Sequence, residues 1–171
     1  MKVLFLGQKY NELIQSWSNL IEGYELHDEL CKITKLRLSL FAGILSESNL
    51  EVLNNSSIQN YFPKLYHQDF LESVDPFSRC EVIISNPPFG SMFALDRIEW
   101  GRGKIQKAAV FLDKIIDDMY HSQHLICILP DVIRSGSRYE QLRNKITNLG
   151  LVNKIKVLGK FDKFTNVDVF L

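Results

Sequence analysis

The chain has 171 residues, with 20 basic and 20 acidic side chains, 46% hydrophobic residues and a mean hydropathy of −0.06. This composition indicates an ordinary globular domain and excludes a disordered chain, which is poor in apolar residues. It also excludes a membrane-spanning segment, which needs about 20 consecutive apolar residues. Because the chain also begins without a signal-peptide pattern, we expect a cytoplasmic protein. Its three widely spaced cysteines, Cys31, Cys80 and Cys127, are then expected to be core thiols, not disulfide partners or zinc ligands.

The net charge of zero hides an asymmetry along the chain. Residues 1–85 carry 7 basic and 11 acidic side chains, whereas residues 86–171 carry 13 basic and 9 acidic ones. Within residues 132–163 the count is 8 basic to 2 acidic. A basic face on the second half would attract a polyanion, although solvated helix and strand faces give the same pattern.

Hydrophobic periodicity predicts alternating strands and helices in the first half of the chain. In chain order, these are a strand over Val3–Leu6, a helix over Asn11–Leu20, a strand over Tyr24–Leu26, a helix capped by Asp28, a strand over Leu65–Phe70 and a strand over Cys80–Ser85. The last of these contains the continuous apolar run Val82–Ile84, which is typical of a strand buried on both faces.

The same alternation continues in the second half. It predicts a helix over Lys104–Tyr120, a strand over Leu125–Leu129, a helix over Arg138–Leu149 that ends at Gly150, and strands over Lys154–Leu158 and Val167–Leu171. The last two strands are joined by a loop too short for a crossover helix, so they should pair antiparallel. The sequence therefore predicts an α/β fold with about seven strands, mostly parallel, with helices on both faces of the sheet.

The loop after the fourth predicted strand reads Asn86-Pro87-Pro88-Phe89. Its two prolines stiffen the backbone and remove two N–H donors, which leaves carbonyl groups free to accept hydrogen bonds. The Asn86 side chain adds another acceptor, and Phe89 adds a flat apolar face. This combination suits a planar ring that bears an exocyclic amino group. A rigid turn that only ends a strand is the other interpretation.

The segment Val82–Gly90 resembles the catalytic motif of amino methyltransferases that use S-adenosylmethionine (AdoMet). Together with Leu125–Asp131, Leu142-Arg143 and a late Phe-rich strand pair, it is similar to the adenine-N6 DNA methyltransferases of type I and type IIG restriction-modification systems. The resemblance implies a Rossmann-like methyltransferase sheet. It also implies that residues 1–171 form a single catalytic domain that lacks an upstream helix and a target-recognition domain.

The resemblance also implies roles for the residues of this motif. Asn86 and the Pro87 carbonyl would accept hydrogen bonds from the adenine amino group, in a loop that Pro88 helps to stiffen. Phe89 would stack on an adenine flipped out of the duplex. Phe164, in the loop between the last two strands, is a candidate for the opposite side of the base or an ordinary core aromatic.

The basic segment after this loop contains Arg102 and Lys104. These two side chains would contact DNA phosphates. A disordered loop is an equal alternative for this segment.

On the cofactor side, the resemblance assigns Gly7, Glu25, Asp69, Phe70 and, again, Asn86 to AdoMet. Glu25 follows a predicted strand and would bind the ribose hydroxyls, unless it is a helix-capping or surface carboxylate. Asp69 would accept from the adenine amino group of the cofactor, and Phe70 would lie against its ring. The first loop keeps Gly7 but lacks the second glycine and the acidic residue of the family pattern.

The function that the sequence predicts is AdoMet-dependent N6-adenine methylation of DNA in a restriction-modification system. DNA and a specificity or restriction subunit are the expected partners, and no metal is expected. One alternative is a degenerate or partial non-catalytic subunit that binds DNA or a partner protein. Another is an N-methyltransferase that acts on RNA or on protein glutamine.

Overall fold

A computed structural model describes residues 9–46, 58, 60–95, 98–150, 152–161 and 167–171. The predicted strand Val3–Leu6, Gly7 and Phe164 lie outside the described residues. The chain divides into two compact units, Met1–Val74 and Asp75–Leu171.

The first unit contains two helices and a two-stranded parallel ladder. Its elements are α1 (Tyr10–Leu20), β1 (Gly23–Glu25), α2 (Asp28–Leu45), β2 (Leu65–His67) and a 3₁₀ turn (Phe70–Glu72). Strands β1 and β2 pair in parallel, with Gly23 opposite Leu65 and Glu25 opposite His67. The helix predicted over Asn11–Leu20 and the parallel direction of these strands are therefore confirmed.

The core of this unit forms where α1 packs against α2. Leu13, Ile14 and Trp17 of α1 are buried together with Ala42 and Phe62. The spacing of the first three residues, at i, i+1 and i+4, places them on one side of the helix. Leu20, the last residue of α1, is 73% exposed.

Helix α2 differs from its prediction in its cap and in its buried face. The cap position is His27, while Asp28 is the first helical residue and pairs with Lys32. The large apolar residues of this helix include Leu30, Ile33 and Phe41, which are 47%, 44% and 54% exposed.

The side of α2 that is buried carries smaller residues, among them Cys31, Ser39 and Ala42. Apolar residues surround most of this helix, so its periodicity could not identify the side that packs on α1 and β2.

The second unit contains the remaining strands and helices. Its elements are β3 (Val82–Ser85), β4 (Ser91–Phe93), β5 (Lys104–Gln106), α3 (Lys107–Asp118), β6 (His124–Cys127), β7 (Leu129–Pro130), α4 (Asp131–Ser135), a 3₁₀ turn (Ser137–Tyr139), α5 (Glu140–Asn148), β8 (Val157–Lys160) and β9 (Asp168–Phe170). Strands β3 and β6 are parallel, and β4 and β5 form an antiparallel hairpin. Strand β9 lies between β7 and β8 and is antiparallel to both, so the predicted antiparallel C-terminal pair is confirmed.

The α/β class is confirmed, but the described residues form three two-stranded sheets and one three-stranded sheet instead of one seven-stranded sheet. Two further expectations were wrong. Lys104–Gln106 is a strand and not the start of a helix, because it pairs with β4. In β3 only Ile83 is buried. Ile84 and its register partner Ile126 are 78% and 46% exposed. No described residue of the second unit therefore covers this face of the β3–β6 pair.

Candidate functional site

The Asn86–Phe89 loop begins where the parallel ladder of β3 and β6 ends. Ser85 lies opposite Cys127 in the register, and the Ile128 N–H donates to the Ser85 carbonyl at 3.0 Å. The next two residues face opposite ways, since Asn86 is exposed while Pro87 is buried. The motif is thus anchored by a proline in the interior and presents the asparagine amide at the surface, at the carboxyl end of a parallel strand.

The other end of the loop is held by the hairpin and by α3. Gly90 has a φ of +113°, a region that L-residues with side chains rarely adopt, so the chain can turn here because the residue is glycine. Its carbonyl accepts from the N–H of Lys107 at 2.8 Å, and β4 starts at Ser91. Both ends of the loop are therefore fixed by backbone hydrogen bonds.

Phe89 makes an aromatic contact that the sequence did not predict. Its ring meets that of Phe161 edge to face, with centroids 5.0 Å apart and planes at 74°. Phe161 directly follows β8 and lies three residues before Phe164, the residue predicted as the second aromatic. The only sequence signal for Phe161 was its position between the last two predicted strands, and the sequence alone could not select between the two phenylalanines.

Cys127 lies beside the root of the loop. Burial raises the pKa of the Cys127 thiol to about 12, and a hydrogen bond with Ser85 offsets only part of this effect. A thiol with this pKa stays protonated near neutral pH, so Cys127 is not a thiolate nucleophile.

The two basic residues assigned to DNA lie in the β4–β5 hairpin. Lys104 is in β5, and its ammonium lies 5.9 Å from the centroid of the Phe93 ring. Arg102 lies in the connecting turn and is exposed. The turn is partly packed, since Ile98 and Gly101 are buried.

The cofactor-side residues Glu25 and Asp69 lie together in the first unit, at the carboxyl ends of β1 and β2. The two strand ends are joined by the Gln68 N–H, which donates to the Glu25 carbonyl at 3.0 Å. Each carboxylate accepts from a backbone N–H two residues ahead, His27 for Glu25 and Leu71 for Asp69, both at 2.9 Å.

Phe70 lies beside these carboxylates in a small aromatic cluster. Its ring contacts Tyr24 edge to face, with centroids 5.8 Å apart, and Tyr24 in turn lies 5.4 Å from Tyr66. Two half-buried carboxylates and a half-buried ring fit an adenosine chemically, because its hydroxyl and amino groups need acceptors and its purine needs an apolar face.

The structure thus brings the predicted residues together in two groups. Asn86, Pro87, Pro88 and Phe89 form one loop in the second unit, with Lys104 on the adjoining hairpin, while Glu25, Asp69 and Phe70 form the other group in the first unit.

Two classes of site are not found within the described residues. No cluster of three His, Cys, Asp or Glu side chains could hold a metal ion there. In the same part of the chain, no helix has the length and apolar character of a bilayer span.

No family model, curated protein or solved structure matches this chain. The functional assignment accordingly rests on the chemistry of the two residue groups.

Proposed function

We propose that this chain is an AdoMet-dependent methyltransferase domain that methylates N6 of adenine in DNA, as part of a restriction-modification system. The observation that carries the proposal is the Asn86–Phe89 loop. It follows a parallel strand, is fixed at both ends, exposes an amide acceptor and presents an aromatic ring. In open α/β folds, ligands bind at the carboxyl ends of the strands.

The loop would act by positioning the amino group. The Asn86 side-chain oxygen and the Pro87 carbonyl each accept one N6–H of the target adenine. With both N–H bonds directed at these acceptors, the N6 lone pair is available as the nucleophile. No covalent enzyme intermediate is needed, and fixing the reacting group in place supplies most of the rate.

The aromatic pair would hold the flipped base. Phe89 stacks on the adenine, and its edge-to-face contact with Phe161, at 5.0 Å, fixes the orientation of the ring. Phe164, which lies outside the described residues, stays the candidate for the opposite side of the base. A base has to leave the duplex to reach such a pocket.

The first unit would hold the adenosine part of the cofactor. Each of the Glu25 and Asp69 carboxylates uses one oxygen for a backbone N–H, which leaves the second oxygen for a ribose hydroxyl or an amino group. Phe70 offers a half-buried ring to the purine. When bound, AdoMet supplies an activated methyl group.

We also propose that the ladders belong to a Rossmann-like methyltransferase sheet in one catalytic domain. The parallel pairs β1–β2 and β3–β6 support this proposal, as does the antiparallel pair that closes the chain.

The proposal is tested with the full chain, labelled AdoMet and a DNA duplex. We expect label in DNA adenine with the wild-type chain. The Asn86→Ala variant should lose roughly a hundredfold or more in rate, the usual effect of removing a group that stabilises the transition state. Asn144→Ala is the matched control, since Asn144 is exposed on α5 and should keep full activity.

Three outcomes would contradict the proposal. They are full DNA methylation by Asn86→Ala, label transferred to RNA or to protein glutamine but not to DNA, and no transfer to any acceptor by a folded chain. The second outcome would favour the other N-methyltransferase classes, and the third a non-catalytic subunit.

A further inference from the structure

A basic groove of about 440 Å³ lies in the second unit between the β4–β5 hairpin and the 3₁₀ turn before α5. Its lining includes Ser91, Lys104, Gln106, Ser137, Arg138 and Tyr139. Tyr139 is buried at its floor, while the two hydroxyl and two cationic side chains are exposed. The groove therefore combines a closed apolar floor with hydrogen-bond donors at its rim.

The charge of the basic groove is not neutralised by its own lining. The lining contains two cations, Lys104 and Arg138, and no carboxylate. Neither cation forms an ion pair with a described residue, in contrast to Arg134, which pairs with Asp131, and Lys145, which pairs with Asp113. Two uncompensated cations on one concave surface attract an anion more strongly than isolated surface lysines do.

The two sides of the groove are joined by hydrogen bonds. The Arg138 guanidinium donates to the Lys104 carbonyl, and the Gln106 N–H donates to the Tyr139 hydroxyl at 2.9 Å. Arg138 uses one of its N–H donors in this hydrogen bond, and the other N–H donors of the guanidinium are available to a ligand. The groove is thus preorganised, which lowers the entropy lost on binding.

The basic groove also adjoins the Asn86–Phe89 loop. Ser91, in its lining, follows Gly90 directly, and the carbonyl of Gly90 accepts from the Lys107 N–H at 2.8 Å. An extended anion in the groove would therefore run past the site assigned to the flipped base.

We propose that the basic groove binds the phosphodiester backbone of a nucleic acid next to the target nucleotide. Phosphate binding is inferred from the charges of the groove alone. The identity of the target nucleotide, in contrast, rests on the proposed function. Lys104 and Arg138 supply charge-assisted hydrogen bonds to phosphate oxygens, and Ser91 and Ser137 add neutral donors.

The experiment measures binding of a short fluorescent DNA duplex to the full chain by anisotropy, from about 50 to about 200 mM salt. The double variant Lys104→Ala/Arg138→Ala should raise Kd roughly tenfold at low salt and reduce the slope of log K against log salt by about 2. Lys154→Ala/Arg79→Ala removes the same charges from exposed positions outside the groove and should leave both quantities nearly unchanged.

Further arms test the class of ligand and separate the two proposals. Duplex RNA should respond to the groove variants as DNA does, because the contacts are to phosphates, and polyglutamate should bind weakly. Asn86→Ala should keep wild-type affinity for DNA even where methyl transfer is lost, so failure of the catalytic assignment leaves this test intact.

The groove proposal is overturned by equal losses in the two double variants, by polyglutamate binding as tight as DNA binding, or by no nucleic-acid binding at low salt. Circular dichroism of each variant shows whether a loss reflects unfolding.

Discussion

The Gln123 side chain forms hydrogen bonds with two segments of the second unit that are far apart in the sequence. Its amide nitrogen donates to the carbonyls of Phe77 and Cys80, the latter at 2.7 Å, and its amide oxygen accepts from the Tyr120 N–H at 2.8 Å. The residue is buried, and it fixes the turn before β6 against the segment that leads into β3. These are the two strands at whose ends the Asn86–Phe89 loop begins.

We expect Gln123→Leu to lower the free energy of unfolding by about 2–4 kcal/mol, because it leaves buried backbone groups without partners. Gln123→Glu should destabilise at least as much near neutral pH, since a carboxylate cannot donate to the two carbonyls. Urea denaturation measures both effects. Gln141→Leu, at an exposed position of α5, is the control, and equal stability of the three variants would refute the role of Gln123.

At the residue scale, the local sequence predicted some of the contacts around the Asn86–Phe89 loop and did not predict others. The prolines of the Asn86–Phe89 loop predict a stiff segment that ends a strand, and β3 does end at Ser85. Gln123 carries no local signal, because its partners Phe77 and Cys80 are 46 and 43 residues away. The choice of Phe161 likewise depends on tertiary packing.

At the element scale, α3 and α5 are joined by an ion-pair network on Lys145. The ammonium lies 2.8 Å from Asp113 and 2.6 Å from Asp117. Burial opposes its charge, but the hydrogen bonds with these two carboxylates outweigh burial and raise the pKa of Lys145. Asp118, the last residue of α3, also has a cationic partner, Lys114, at 2.7 Å.

Removing Lys145 would leave the buried Asp113 carboxylate without its cation. We expect Lys145→Met to lower stability by about 2–3 kcal/mol, less than for a fully buried pair because the lysine is one-third exposed. Lys154→Met is the matched surface control. Adding Asp113→Asn to Lys145→Met should recover part of the loss, and additive effects in this cycle, measured by urea denaturation, would show that the pair does not couple the helices.

How well the buried side of each element could be predicted depended on how clearly its apolar residues follow one period. Helix α3 was predicted from its apolar period, but its burial extends beyond that period, because Asp113 and Lys114 are buried as well as the apolar residues. Helix α2 is apolar around most of its surface, which left its buried side undetermined. The β4–β5 hairpin was missed because each strand has three residues, too few for a periodic signal.

At the scale of the whole molecule, the net charge of zero is the sum of two units whose net charges have opposite signs. Residues 1–74 carry 6 basic and 9 acidic side chains, and residues 75–171 carry 14 and 11. The acidic unit contains Glu25 and Asp69, whose carboxylates suit hydroxyl and amino groups. The basic unit contains the Asn86–Phe89 loop and the groove with Lys104 and Arg138, which suit an amino group and a phosphate.

The proposed cofactor site predicts a stability change of the whole chain. A ligand that binds only the folded state stabilises it by about 2.7 kcal/mol at 100 times its Kd, which corresponds to roughly 5–10 °C in Tm at this size. Glu25→Gln and Asp69→Asn should each reduce the AdoMet-induced shift. Each keeps an amide oxygen for the backbone N–H of His27 or Leu71 but loses the charged acceptor, which weakens binding about ten- to a hundredfold.

Glu72→Gln is the control for this thermal shift, since Glu72 is exposed close to Asp69 and is outside the proposed site. Without ligand, the variants should melt close to the wild type, because the backbone hydrogen bonds of their strand ends are kept. A wild-type chain whose Tm does not respond to AdoMet would overturn the cofactor assignment. Equal AdoMet-induced shifts in Tm for all variants would show that the cofactor does not bind at the ends of β1 and β2.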